Sequence, residues 1–417
     1  MKKIQTDILL IGGGYVNYFA LKTIRNKLKK RIKTHEITIL MVSNYAYHAF
    51  HGFSGEAITN QIRAEWLQSD IAELIGPANF LHGTVTAIDP DEHRAEITAA
   101  DGTMYSCGFN HSVIGIGAED RTPLDPELPS RSPSSFARIS ERVQQQLETC
   151  AQGKDGRIII AGGGYTGVEW ASQIAERWKQ LKRLGATGHL TVSLLHSGSS
   201  ILPAIAHRFP QFARYAEKKL RKAGVDLQLN TRVASYKDGI VRTAEGDQQC
   251  DVFLSGITPI SRTISGLDKL PLGKSKQIMV DPYLRAQGHP RIWAGGDNAH
   301  VINHLNNTVC PQNALYAIKH GEFIGRMLAR HYLGKPLKPF RYITLGQAAA
   351  LGKQSAICEV YGVPFTGKLA WLMRMGFFFY FFPQKKHIPK LARTFLLSGS
   401  AYPIAVGIGD KTPQTGV

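Results

Sequence analysis

Two glycine-rich turns, 150 residues apart, constrain this chain more than any other feature. The first is Gly12-Gly13-Gly14 and the second Gly162-Gly163-Gly164. Each follows a short apolar run, Ile8–Ile11 and Ile158–Ala161, that reads as a buried parallel strand, and each opens a helical pattern. In such a turn the first glycine permits a tight bend and the second lets the backbone approach a pyrophosphate. The third lets helix pack close to strand, and the helix N-terminus faces the phosphates. One such turn is weak evidence, and a pair of ordinary βα turns is the alternative reading. Two in strand–turn–helix context imply an α/β chain that holds two dinucleotides, a flavin and a nicotinamide.

A chain of 417 residues can build two or three domains with real cores. Its five cysteines, Cys107, Cys150, Cys250, Cys310 and Cys358, are scattered, with no CxxC or CxxxxC pair. That spacing argues against a disulfide-reductase site or a zinc ribbon and fits a reducing, cytoplasmic setting. No metal is expected. The net charge of +18 suits nucleic acid, an anionic membrane face, phosphate-rich cofactors, or solubility alone. The charge is uneven. Residues 22–33 carry seven Lys or Arg and no acid; residues 366–417 carry seven against Asp410.

The pattern predicts a strand over 5–12, a basic helix over 15–31, a strand over 35–42 and an antiparallel meander over 80–117. A Pro- and Ser-rich linker follows at 120–136, then a helix at 137–152. A second unit begins near Arg157 with strand, turn, helix and strand, and closes with Asp251–Gly256. Ile292-Trp293-Ala294-Gly295-Gly296-Asp297 reads as a strand ending in a glycine-acid turn, ahead of a helix over 312–332. No stretch reaches the roughly 20 apolar residues of a bilayer span. The apolar run Leu369–Phe382, rich in Phe and interrupted by Arg374, reads as an interfacial anchor in the headgroup plane. The alternative is a hydrophobic hairpin at a dimer interface.

The order of GGG turn, meander, Gly-Gly-Gly-Tyr-Thr-Gly-Val-Glu, Trp-Ala-Gly-Gly-Asp and a helix after Pro311 resembles the two-dinucleotide-binding flavoproteins. Within them it is most similar to the type II NADH dehydrogenases, single-chain NADH:quinone oxidoreductases. Leu345-Gly346, Ala350-Leu351-Gly352 and Gly367-Lys368-Leu369-Ala370-Trp371 carry the match to the C-terminal strands and membrane-facing tail. The resemblance implies two Rossmann-like domains and that tail. The FAD domain is split, with a first part at 1–120 and a second at 286–340. An NAD(P)H domain at 155–285 is inserted, and C-terminal strands and tail occupy 341–417.

The resemblance also implies roles. Gly12 and Gly14, with Gly13 between them, cradle the FAD pyrophosphate. Val85 meets the adenine, Gly117 ends the returning strand, and Asp297 binds the ribityl chain. Gly162, Gly164 and Gly167, with Tyr165 and Thr166, hold the NAD(P)H phosphates. Glu169 lies near the nicotinamide as the one catalytic side chain, and Gly256 is passed closely by it. The cofactors, FAD and NAD(P)H, supply the reaction while the protein supplies position and electrostatics. For Asp297 and Glu169, a helix cap or early-turn acid is the simpler alternative. The implied acceptor is quinone-like, at the cytoplasmic face of a membrane on which the protein sits peripherally. A homodimer is possible, and no nucleic-acid partner is expected.

Four positions depart from the pattern. Asn17 stands where Gly or Ala is usual, so its side chain must push the helix away or point elsewhere. Ser43 replaces the acid that binds the FAD ribose. His196 replaces the acid that binds the NAD ribose, so NADPH is permitted. In the acceptor-site helix, Ala314-Leu315 and Lys319 stand where two glutamines are usual, so the acceptor could differ from an ordinary quinone. Lys319 and His320 could meet an acidic group, but a solvated helix face is the reading preferred here. Rival functions are a sulfide:quinone or ferredoxin-type reductase, and a redox-sensing flavoprotein with little turnover.

Overall fold

Ile8, Leu9, Leu10 and Ile11 are all buried. A strand covered on both faces needs such a run without alternation. The computed structural model describes residues 1–76, 79–120, 133–256 and 259–397. Most of the anticipated linker at 120–136, and the last twenty residues with Asp410 and Lys411, lie outside the described residues.

In chain order the first stretch contributes β1 (Lys2–Ile11), α1 (Tyr15–Lys27), β2 (Ile39–Ser43), β3 (Phe80–Asp89), β4 (Arg94–Ala99) and β5 (Met104–Ile114). The middle contributes α2 (Pro133–Ala151), β6 (Asp155–Ala161), α3 (Tyr165–Arg183), β7 (His189–Leu195), β8 (Val225–Gln228) and β9 (Val252–Ser255). β10 (His289–Ala294) and α4 (Ala314–Tyr332) follow. The chain then forms β11 (Ala348–Ala350), β12 (Ala356–Val360), β13 (Val363–Thr366), α5 (Gly367–Phe381) and α6 (Ile388–Leu397).

Contacts divide the chain into two units. The first comprises Met1–His51, Gln68–Arg121 and Pro259–Thr344; the second comprises Gly52–Leu67, Thr122–Thr258 and Leu345–Val417. The boundary differs from the one anticipated, because residues 259–285 fall in the first unit. The reason is strand pairing: Pro259–Ser261 pairs antiparallel with Ala118–Asp120, and Ile278–Met279 pairs parallel with Ala299–His300.

In the first unit, β1 runs parallel to β2 and to β5, with Ile11 level with Val42 and Ile114. β10 adds parallel to β5, and β3, β4 and β5 form the antiparallel meander. α1 packs on α4 at two glycines. A Cβ on Gly321 would meet the Val16 carbonyl oxygen at 2.3 Å, and one on Gly325 the Ala20 carbonyl oxygen at 2.5 Å. Those separations compel glycine, since two helix backbones approach where a methyl would stand.

In the second unit, β8, β7, β6 and β9 form an all-parallel sheet in that order. α2 buries Ile139, Val143, Leu147 and Cys150, one stripe at helical spacing. β11, β12 and β13 form an antiparallel sheet that leads directly into α5.

Candidate functional site

Both glycine turns end strands at the same edge of their sheets, and both open a helix. Gly14 caps α1 and Gly164 caps α3, each with extended backbone at the cap, no capping side chain and no acid in the helix's first turn. The first N–H groups of each helix are thus left to an external acceptor, and the helix dipole favours an anion there. Gly12 has φ +105° and Gly162 φ +107°, and a Cβ on either would collide with a neighbouring strand's carbonyl: Gly115 at 2.6 Å, Gly256 at 2.8 Å. A Cβ on Gly164 or Gly117 would meet nothing within 4 Å, so the backbone is bare where a phosphate chain would lie. These cradles fit a dinucleotide pyrophosphate.

Asn17 points back rather than pushing α1 away. It is fully buried, and its Nδ2 donates to the Ile11 carbonyl at 2.7 Å and the Gly12 carbonyl at 2.8 Å. The amide thus fastens helix to strand with hydrogen bonds where close backbone contact is usual. Ser43 lies beneath the turn: a Cβ on Gly13 would come within 2.8 Å of its Oγ, which accepts from the Tyr45 N–H at 3.2 Å. Val85 is buried in β3. The sequence offered no reason to select His48, whose Nδ1 donates to the Gly13 carbonyl at 2.9 Å. It braces the turn from outside the motif.

Asp297 lies in the one-turn 3₁₀ segment Gly296–Asn298 after β10. Its carbonyl accepts from Ser261 Oγ at 2.6 Å and from Gln312 Nε2 at 3.0 Å. Its neighbour Asn298 takes the Gly117 N–H on Oδ1 and gives its Nδ2 to the Gly117 carbonyl at 2.8 Å. One amide therefore joins Gly117 to the Asp297 turn, two positions that sequence could name only separately. His320 overturns the expectation of a solvated helix face. It is buried, and its Nδ1 accepts the Gly296 N–H at 3.0 Å. Leu315 is also buried, and Lys319 is ion-paired with Glu322 at 2.9 Å on the same helix. Ala314 is the first residue of that helix, which Asn313 caps by accepting the Tyr316 N–H at 3.0 Å.

In the second turn Gly167 sits hard against the strand: a Cβ there would stand 1.9 Å from the Gly162 carbonyl oxygen. Gly256 donates its N–H to the Ala161 carbonyl at 2.8 Å, fixing the end of β9 beside the turn. Tyr165 and Thr166 start α3, with the Tyr165 hydroxyl buried. His196 makes contacts that its surface-like context did not foretell. Its Nδ1 accepts the Gly163 N–H at 3.3 Å, and its Nε2 donates to the Ser200 carbonyl at 3.0 Å. Burial lowers its pKa and keeps the ring neutral.

Glu169 is held in a buried charge cluster. Arg374, fully buried in α5, reaches Glu169 at 3.0 Å and Glu56 at 2.7 Å; Ala350 adds its N–H to Glu169 at 2.8 Å. Arg374 also donates to the Gly52 carbonyl at 2.8 Å and lies over the Phe378 ring at 4.6 Å. Two carboxylates share one guanidinium. Burial, reinforced by the Glu56 charge, lifts the Glu169 carboxyl to about 7 against the pull of Arg374. Glu56 carried no motif and was invisible in the sequence, and Arg374 read only as an interruption of an apolar run.

A family model described as pyridine nucleotide-disulphide oxidoreductase matches residues 6–321, which span both glycine turns and the Asp297 turn. The chain belongs to this pyridine nucleotide-disulphide oxidoreductase family. Among curated relatives it is similar to the demethylphylloquinone reductase NdbB of Synechocystis, 26% identical over 402 residues, covering 93% of this chain and 95% of that one. It is also similar to the type II NADH:quinone oxidoreductase of Staphylococcus saprophyticus, at 24% identity over 90% of this chain and 94% of that one. Among solved structures, NDH2 from Plasmodium falciparum in complex with NADH shares the fold. The TM-score is 0.79 at 12% identity, covering 95% of this chain and 99% of that one.

In this pyridine nucleotide-disulphide oxidoreductase all five cysteines are buried. Burial pushes the Cys310 thiol up to about 12 and the Cys358 thiol to about 11, so neither offers a thiolate at neutral pH. Burial likewise depresses three imidazoles: His48 to about 4, His320 to about 3, and His111, with added repulsion from His331 and Arg291, to about 4. A depressed folded-state pKa means that the unfolded chain binds protons first, so stability is intact above pH 6.5 and falls as pH drops toward 4. Each group then removes on the order of 3 kcal/mol by pH 4. Thermal unfolding from pH 8 to pH 4 should show the midpoint dropping steeply below pH 6.5; a flat profile to pH 4.5 would refute this.

Proposed function

We propose that the chain is an FAD-dependent NAD(P)H dehydrogenase of the type II kind, which takes a hydride from NAD(P)H and passes electrons to a quinone-like acceptor at a membrane surface. The observation that carries it is the pair of uncapped, acid-free helix N-termini behind Gly12–Gly14 and Gly162–Gly164, one in each unit. The names of the quinone reductases to which the chain is similar support the acceptor class.

FAD, when bound, supplies the electron-accepting ring that neither a buried thiol nor any other side chain here replaces. Gly12, Gly13, Gly14 and the α1 N-terminus would hold its pyrophosphate, Ser43 would meet the ribose and Val85 the adenine. Asp297, steadied through Asn298, Gln312 and Ser261, would hold the ribityl chain. The second turn would hold NAD(P)H with Gly162, Gly164, Tyr165, Thr166 and Gly167, while Gly256 leaves room for the nicotinamide. Glu169, its carboxyl raised by burial and positioned by Arg374, would lie near the nicotinamide. Leu315 and the paired Lys319 give the acceptor helix a more apolar, charge-balanced face than two glutamines would. High thiol pKa values at Cys310 and Cys358 tell against a sulfide-oxidising role.

A membrane role rests on α5. Among the described residues no helix is long and apolar enough to cross a membrane. Leu369, Leu372 and Tyr380 nevertheless project outward, 53%, 45% and 74% exposed, on one stripe of α5. Lys385, Lys386 and Lys390 follow it, a combination suited to anionic headgroups at the cytoplasmic face, where NAD(P)H is made.

The test is spectroscopic. The purified protein should be yellow, bleach when an anaerobic solution receives NADH or NADPH, and regain colour on addition of a quinone. Protein that stays colourless after incubation with FAD would overturn the reading. Leu369→Asp with Leu372→Asp should cut co-sedimentation with phosphatidylglycerol vesicles at least fivefold and leave bleaching intact; unchanged sedimentation would remove the membrane half.

A further inference from the structure

We propose that the second turn takes NADPH in preference to NADH, with Arg232 and the hydroxyls of Ser197 and Ser199 receiving the 2′-phosphate. This rests on the assignment of that turn to the pyridine nucleotide.

The residue after the second strand of such a unit decides the question, because a carboxylate there holds a ribose 2′-hydroxyl and repels a 2′-phosphate. Here that residue, His196 after β7, brings no charge. Both its nitrogens are committed to backbone, one to the Gly163 N–H and one to the Ser200 carbonyl. The ring therefore shapes the loop and leaves ligand contact to its neighbours. Those neighbours are Ser197, Gly198 and Ser199, with both serines exposed. A Cβ on Gly198 would press on His196 Nε2 at 3.0 Å, so the loop is moulded around the imidazole.

Three backbone hydrogen bonds then hold against this loop the segment that leads into Arg232, 36 residues further along the sequence. The His196 N–H donates to the Gln228 carbonyl at 2.9 Å, and the Thr231 N–H to the His196 carbonyl at 2.9 Å. The Asn230 N–H donates to the Gly198 carbonyl at 3.0 Å. Arg232 is the next residue, one Cα step of about 3.8 Å beyond Thr231, and its side chain is exposed. It makes no ion pair or hydrogen bond among the described residues. Asp226, the carboxylate on β8, is engaged by Ser193 Oγ at 3.0 Å and Gln228 Nε2 at 2.6 Å. An exposed arginine one residue from a backbone held against this loop, and two exposed hydroxyls on the loop itself, are the donor types a phosphate dianion needs. Gly167 does not oppose this, because its 1.9 Å clearance from the Gly162 carbonyl demands glycine whichever nucleotide binds.

Equilibrium dialysis of the intact, FAD-loaded protein against NADP⁺ and NAD⁺ tests the proposal without relying on turnover. NADP⁺ should bind at least tenfold tighter than NAD⁺. Arg232→Ala should weaken NADP⁺ at least tenfold and leave NAD⁺ within twofold. Ser197→Ala with Ser199→Ala should act in the same direction with a smaller effect. NAD⁺ binding as tightly as NADP⁺ overturns the proposal, as does an Arg232→Ala variant that weakens both nucleotides equally or neither. Failure to bind either nucleotide would instead overturn the assignment of the turn on which the proposal rests.

Discussion

Arg374→Met is expected to lower stability at pH 8 by about 3–5 kcal/mol, the usual cost of removing one partner from a buried ion pair. The guanidinium is fully buried and serves two carboxylates, Glu56 and Glu169. Methionine fills much of the volume but leaves both acids without a counter-charge. The deficit should depend on pH in a definite direction. Without the cation the buried Glu169 carboxyl is raised further above its unfolded value. A raised acid pKa leaves stability present at low pH and removes it as pH rises through the folded value. Urea denaturation should therefore show a smaller deficit at pH 5 than at pH 8. A deficit below about 1 kcal/mol at both values would show that the cluster is energetically idle.

Gly167→Ala is expected to abolish measurable pyridine-nucleotide binding while leaving flavin content unchanged. The added methyl would sit 1.9 Å from the Gly162 carbonyl oxygen, a backbone atom that cannot rotate away. Relief requires α3 to retreat from β6, which withdraws the helix N-terminus from the phosphates it would face. Overpacking of this kind costs about 1–3 kcal/mol. Dialysis against NADP⁺ and NAD⁺, with the flavin spectrum as the internal control, reads the result. Retention of binding within threefold of the parent would contradict it. The corresponding position in the first turn holds Asn17, whose side-chain amide joins helix to strand by hydrogen bonds to the Ile11 and Gly12 carbonyls.

Much of the fold was legible because it rests on local pattern. The unalternating runs at Ile8–Ile11 and Ile158–Ala161 can be little but buried strands, and the glycines after them mark the turns. The meander showed in its alternation and turn residues. What could not be read is what long-range pairing decides. Residues 259–285 join the first unit because Ile278 and Met279 pair with Ala299 and His300, and nothing local to 259–285 declares that. The same holds in the site. His48 and His320 each act through one hydrogen bond to turn backbone and Asn298 through a pair to Gly117, and a histidine or asparagine in a loop or helix gives no sign of which distant N–H or carbonyl it will meet. Glu56 and Glu169 are 113 residues apart and acquire meaning only when Arg374 arrives from the far end of the chain.

The placement of Arg374 has a practical corollary for anyone who would trim this protein. α5 looks like a detachable appendage, the natural thing to cut when a soluble derivative is wanted for crystals or assays. Its inward side nevertheless supplies the guanidinium that pairs with two interior acids, so excision there would amount to surgery on the second unit itself. A shortened derivative that loses turnover would say nothing about lipids; outward-facing point changes are the cleaner instrument.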